Sequence, residues 1–157
     1  MDQNKRIVIS YGTFDLFHYG HVKILKRMKQ MGDRLIIGCS TDDFNQSKGK
    51  DSFFNYEERS AILKSCRYVD AVFPEKSWDQ KIKDINTYCA DLFVMGDDWE
   101  GKFDYIEEQT NCCVLYLQRT LGVSTTNIKQ ALMSLNEERK SIILDQLHTL
   151  EQEIISL

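Results

Sequence analysis

His18 and His21 are the side chains whose type and spacing first suggest chemistry. They lie in Tyr11-Gly12-Thr13-Phe14-Asp15-Leu16-Phe17-His18-Tyr19-Gly20-His21. An i, i+3 pair shares one face of a helix, and Gly20 between them adds no side chain, which leaves room for a ligand to approach closely. A helix start exposes unpaired N–H groups and the positive end of the macrodipole, so the ligand suited to it is an anion, most often a phosphate. Arg119-Thr120-Leu121-Gly122-Val123-Ser124-Thr125-Thr126 repeats this logic with other groups. Gly122 lets the chain turn, Ser124, Thr125 and Thr126 can cap a helix with hydroxyl and N–H donors, and Arg119 brings a guanidinium fork shaped for phosphate oxygens. Two anion-binding helix starts, each after a strand end, suit a nucleoside triphosphate.

The elements that must position these groups follow from hydrophobic pattern. Ile7-Val8-Ile9 is a strand, and Val22, Ile24, Leu25 and Met28 have helical spacing. Leu35 to Cys39 is an unbroken apolar run, as in strands covered on both faces. Residues 40–54, which carry Lys48 and Lys50, are polar and weakly patterned, and are expected to form a loop at the strand's C-terminal end, the edge where open α/β sheets bind ligands. Asn55 with Glu58 forms a capping signal for a helix through Arg59, Ile62, Leu63 and Cys66. Tyr68 to Phe73 is expected as a third strand stopped by Pro74, and Ser77 to Gln80 as a capping box for a helix carrying Lys81, Ile82, Ile85 and Tyr88. Leu92 to Met95 and Val114 to Leu117 complete five strands, the fourth ending in the turn that holds Asp98 and Trp99. Strands alternating with helices imply an α/β, Rossmann-like three-layer sandwich around a five-stranded parallel sheet. The expected organisation is one domain, residues 1–131, and a C-terminal helical extension, residues 132–157. In the extension Ile143, Leu147, Leu150, Ile154 and Leu157 trace a heptad-like stripe, which suits either a contact with a second copy or packing on the chain's own domain.

Composition excludes several classes. A net charge of −4 leaves no electrostatic footprint for nucleic acid. No apolar run reaches the roughly 18 to 20 residues of a membrane span, and the first residues lack a signal peptide's apolar core, so membrane insertion is not expected and a cytoplasmic location is. Five cysteines, with no CxxC pair, are expected to be reduced and mostly buried, with no zinc site. No GxGxxG follows the first strand, which argues against an NAD-binding domain.

Gly12 to Asp15 followed by His18-Tyr19-Gly20-His21 resembles the HxGH signature of the nucleotidylyltransferase superfamily, and Arg119 to Thr126 is similar to the RTxGxSTT signature of its cytidylyltransferase branch. Ser40-Thr41-Asp42 with Phe44-Asn45, Arg67-Tyr68-Val69-Asp70, Pro74-Glu75-Lys76 and Met95 to Gly101 extend the likeness over residues 6 to 131, toward the members of that branch that use glycerol 3-phosphate. Phe17, Leu121 and Val123 depart from the residues frequent in the family, and none of the three removes a donor. The resemblance implies CTP plus sn-glycerol 3-phosphate giving CDP-glycerol and pyrophosphate, with a product that feeds teichoic-acid or capsule-type polymers. It implies CTP contacts from Thr13, Phe14, His18, His21, Lys50, Asp98, Trp99, Arg119, Thr120, Gly122, Val123, Ser124, Thr125 and Thr126. It also implies acceptor contacts from Lys48 and Lys81 with help from Arg59 and Arg67, and catalysis by His18, His21, Lys48 and Arg119. Mg²⁺ is expected with CTP and a homodimer as the assembly. Other phosphorylated alcohols or amines, such as ribitol phosphate, phosphocholine or phosphoethanolamine, and a CTP-binding regulatory module without turnover, remain open alternatives.

Overall fold

The computed structural model describes residues 5–120 and 124–155. The order of elements is β1 (Ile7–Gly12), α1 (Tyr19–Lys29), β2 (Arg34–Ser40), α2 (Asp42–Ser47), α3 (Tyr56–Ser65), β3 (Ala71–Glu75), α4 (Gln80–Tyr88), β4 (Leu92–Gly96), a 3₁₀ turn (Asp97–Trp99), α5 (Tyr105–Gln109), β5 (Cys113–Leu117) and α6 (Thr125–Ile155). The strands form one parallel sheet in the order β3-β2-β1-β4-β5. A parallel sheet buries both faces, and the alternation of side chains sorts its strands into two cores. Val8, Leu35, Ile37, Leu92 and Val94 meet Leu25 and Met28 of α1 and Leu63 of α3 on one face. Ile9, Tyr11, Ile36, Phe93 and Met95 meet Ile85 of α4 and Ile106 of α5 on the other. Because every strand points the same way, Gly12, Ser40, Glu75, Gly96 and Leu117 end on a single edge.

The α/β sandwich and all five strands match the expectation, with local differences. The third strand starts later than expected and runs through Pro74 to Glu75, pairing Pro74 with Cys39. An edge strand tolerates a residue without an N–H, while Cys66 to Val69 make a turn closed by Val69 N–H to Cys66 O at 3.0 Å, and the Asp70 carboxylate accepts Leu35 N–H at 2.7 Å. The polar stretch after β2 is not all loop. Thr41 caps α2 by accepting Phe44 N–H at 3.3 Å, and Phe44 and Asn45 are buried, but a helix of 6 residues is too short to show periodicity. The capping box at Asn55 and Glu58 forms as expected. At Ser77 half of one forms: the Gln80 side chain accepts Ser77 N–H, while Asp79 at the start of α4 makes no side-chain cap. The cysteines are free, but only Cys39 and Cys112 are buried; Cys89 and Cys113 are exposed. Among the described residues no helix is long and apolar enough to cross a membrane.

The chain divides into two compact units, Met1–Gly122 and Val123–Leu157. The expected division at 131/132 falls inside α6, which continues through it without interruption. In the second unit Leu132, Leu135, Ile142, Ile143 and Leu144 are exposed. Leu147, Leu150 and Ile154 of the expected stripe fall on the same helix, and Leu157 lies outside the described residues.

Candidate functional site

The two histidines sit where β1 hands over to α1, and each caps the other's turn. His18 Nδ1 accepts the N–H of Gly20 at 3.1 Å, and His21 Nδ1 accepts the N–H of His18 at 3.3 Å. An imidazole whose Nδ1 accepts must carry its proton on Nε2. The rings stack with centroids 3.9 Å apart, and Phe14 and Phe17 flank His21 at 5.3 and 5.5 Å. Burial holds both below the usual histidine range; for His21, burial first, with His18 and Arg119 adding to it and Asp15 opposing, brings the pKa to about 4. At neutral pH the pair is therefore two uncharged rings, each keeping an Nε2–H donor. The approach to this turn is bent, with φ of 52° at Phe14 and 46° at Leu16. Asp15 is buried and fixes the neighbouring loop by accepting Phe53 and Phe54 N–H at 2.8 and 3.0 Å. Positive φ at non-glycine residues persists only where the surroundings over-determine it, and this clamp is one such constraint.

Arg119 follows β5 on the same edge. Its N–H donates to Asp97 at 3.3 Å and its Nη2 to Asp98 at 3.0 Å, and its side chain is 65% exposed. Arg27 of α1 donates to Gln118 O at 2.7 Å, which ties the end of β5 to the histidine helix. Trp99 packs at a tilt against Trp78 and Phe103, and the exposed Lys50 places its Nζ 5.9 Å from the Trp99 ring. Thr13 donates to Asn45 Oδ1 at 2.9 Å, and Thr120 is half-buried. Leu121, Gly122 and Val123 lie outside the described residues. In the second unit Ser124 accepts Asn127 N–H at 3.1 Å and is the N-cap of α6, ahead of Thr125 and the exposed Thr126.

The cations expected at the acceptor separate into three kinds of place. Lys48, at the end of α2, donates to Ser40 Oγ at 3.0 Å and lies 4.0 Å from Glu75 Oε2 and 4.1 Å from the Phe44 centroid. Burial, opposed by Glu75, lowers its pKa to about 8. Lys81 is fully buried, 2.7 Å from Glu75 Oε1. Arg59 is also fully buried, and its donors hold the framework: Nε reaches Phe54 O at 2.9 Å, Nη1 reaches Thr13 O and Ser40 O at 2.8 Å each, and Nη2 reaches Asp42 at 2.6 Å. Arg67 is exposed just before β3, at the N-terminal edge of the sheet, so a single chain sets it on the opposite edge from the histidines.

Glu75, Trp78, Asn45 and Asp42 are the organising residues that spacing did not single out. Glu75 is 2% exposed and accepts from Ser40 at 2.5 Å as well as from Lys81. An acid as the last residue of a strand beside two lysines nearby in sequence was the available signal. Among the described residues no three His, Cys, Asp or Glu side chains gather as a metal site.

The sequence model of the family described as Cytidylyltransferase-like matches residues 9–131. The chain is 56% identical over 128 residues to a glycerol-3-phosphate cytidylyltransferase of Bacillus subtilis, covering 82% of this chain and 98% of that one. It is 55% identical to the Staphylococcus aureus protein of the same name over 80% of this chain and 93% of the relative. An ethanolamine-phosphate cytidylyltransferase of Arabidopsis thaliana is 37% identical over 68% of this chain and 25% of its own length. Among solved structures, a lipopolysaccharide core biosynthesis protein of Thermoplasma volcanium shares the fold, with a TM-score of 0.62 at 24% identity over 74% of this chain and 98% of that one. With the histidine-capped turn, the parallel sheet and these matches in agreement, the chain belongs to the cytidylyltransferase-like family.

Proposed function

We propose that this protein transfers CMP from CTP to sn-glycerol 3-phosphate, releasing pyrophosphate and forming CDP-glycerol. The observation that carries the reading is the pair of neutral histidines whose Nε2–H groups are left as donors at the mouth of α1, with Arg119 at the same sheet edge. The acceptor is a phosphomonoester whose second pKa is about 6, so at neutral pH its oxygen is already an anion. That oxygen forms a bond to the α-phosphorus of CTP as the bond from that phosphorus to the bridging oxygen breaks, and pyrophosphate leaves with the electron pair. No general base is needed; the barrier lies in bringing two polyanions together and in the charge that accumulates on the α-phosphate and the leaving group. Fixed donors answer that need. His18 and His21 hydrogen-bond the phosphate oxygens without a proton transfer, Arg119 and Lys50 neutralise the triphosphate, and Lys48 holds the acceptor phosphate.

Mg²⁺ would accompany CTP and supply further positive charge to neutralise the triphosphate beside Arg119 and Lys50. The enzyme acts as a homodimer in the cytoplasm, and CDP-glycerol serves the synthesis of polyol-phosphate polymers of the teichoic-acid or capsule type. Pyrophosphate release with CTP and glycerol 3-phosphate tests the proposal; release confined to another acceptor keeps the mechanism and changes the substrate, and CTP binding without release makes the protein a regulatory module. Sedimentation tests the dimer.

A further inference from the structure

Lys81 fills an enclosure built like the binding sites of ammonium ligands. Its Nζ lies 4.5 Å from the Tyr11 centroid, 4.8 Å from Trp78 and 5.3 Å from Phe103, with the Glu75 carboxylate at 2.7 Å. Aromatic faces around a carboxylate are what a quaternary or primary ammonium group seeks when it leaves water. The walls are fixed independently of the lysine. Tyr11 donates to Asp84 at 3.0 Å and its ring lies where a side chain at Gly38 would collide with it. Trp78 packs on Phe44, Trp99 and Phe103, and Glu75 keeps its bond from Ser40. The same carboxylate stands 4.0 Å from Lys48, on the acceptor side of the proposed reaction.

We propose that Lys81 is the residue that sets the acceptor class: its ammonium occupies a cation cage from inside, so that acceptors with a polyol are taken and those with an amine are refused. This rests on the function proposed above for its acceptor side, though the cage itself does not. An emptied cage takes an alkylammonium ion, and an aminoalkyl phosphate then becomes an acceptor.

Lys81→Ala removes the equivalent of propylammonium, so that ion is the probe. Thermal unfolding of the full-length parent, Lys81→Ala and Lys81→Met is followed with and without propylammonium chloride, using sodium chloride at equal ionic strength as the control. The cage predicts a rise of roughly 4 °C for Lys81→Ala at about ten times its dissociation constant, and none for the parent or for Lys81→Met, whose side chain still fills the space. Turnover with CTP is then compared for phosphoethanolamine and glycerol 3-phosphate. The ratio of kcat/KM values should move at least about tenfold toward phosphoethanolamine in Lys81→Ala and return when propylammonium is added. Should Lys81→Ala not hold its fold, Lys81→Thr, which leaves a smaller space, takes both measurements with ethylammonium. No ammonium-specific stabilisation overturns the cage. Stabilisation with an unchanged acceptor ratio overturns the role in specificity. A parent inert toward glycerol 3-phosphate contradicts the proposed function instead, and leaves the ammonium titration to decide the cage.

Discussion

The two ends of the site place charge in opposite ways. At the start of α1, His18 and His21 are kept neutral by burial and offer donors outward, and Arg119 stands open to solvent. Around Glu75, Lys48 and Lys81 are enclosed by aromatic rings and share the Glu75 carboxylate as their counter-charge. The first arrangement costs little to assemble, because neutral rings need only hydrogen bonds. The second is stable only while its ions stay paired, since a lone buried charge is strongly penalised. Substitutions at the first end should therefore change rate, and those at the second end should change stability as well.

The largest effect expected is at Glu75. Glu75→Gln keeps the shape and leaves Lys81 buried without its partner, which should cost about 3 to 5 kcal/mol and lower Tm by roughly 10 °C. A melting temperature within about 2 °C of the parent would mean that the ion cluster is not needed for the fold. At the other end, His18→Ala or His21→Ala should lower kcat by roughly 10²- to 10³-fold, with a smaller fall in Tm than at Glu75 because each imidazole also accepts a turn N–H. A loss below about threefold in a folded variant would remove the histidines from the transition state.

Proton linkage separates the ends further. His21 has a folded pKa near 4, below its unfolded value of about 6.5, so the unfolded chain binds the extra proton between these values. Stability should fall as pH drops through that window, and His21→Asn should flatten the slope; an unchanged slope would place the buried titration elsewhere. Lys48 titrates near 8, so kcat/KM should decline as pH rises past that value. Lys48→Arg, which keeps its charge, should carry the decline to higher pH, and an unmoved alkaline limb would clear Lys48 of it. The smallest effect is expected in the tail. Truncation after Gln130 should leave turnover within about twofold, because α6 beyond that point adds no group to the proposed chemistry; a larger loss would give the extension a part in the active assembly.

Hydrophobic periodicity carries most of the fold. The five apolar runs, the Asn55–Glu58 cap and the turn before α1 are all local patterns. The start of the third strand was misplaced because Tyr68 and Val69 are apolar enough to read as sheet, while the hydrogen bonds that decide the boundary come from Leu35 and Cys66. The short helix α2 escaped for want of a periodic signal, although Thr41 was in place to cap it. In the site, His18 and His21 were legible because three residues of a helix fix their relation. Arg59 and Lys81 were legible as cations but not as buried ones, since burial depends on partners 17 and 6 residues away. Glu75 was least legible, because its role appears only when the ends of β2, α2, β3 and α4 meet.

The central claim is tested most directly by pyrophosphate release from the purified protein with CTP and Mg²⁺, run in parallel with glycerol 3-phosphate, ribitol 5-phosphate, phosphocholine and phosphoethanolamine, with ATP replacing CTP as a control. The account predicts release with CTP and glycerol 3-phosphate and none above background with ATP or the amine-bearing acceptors. Release with phosphocholine or phosphoethanolamine but not with glycerol 3-phosphate would contradict it.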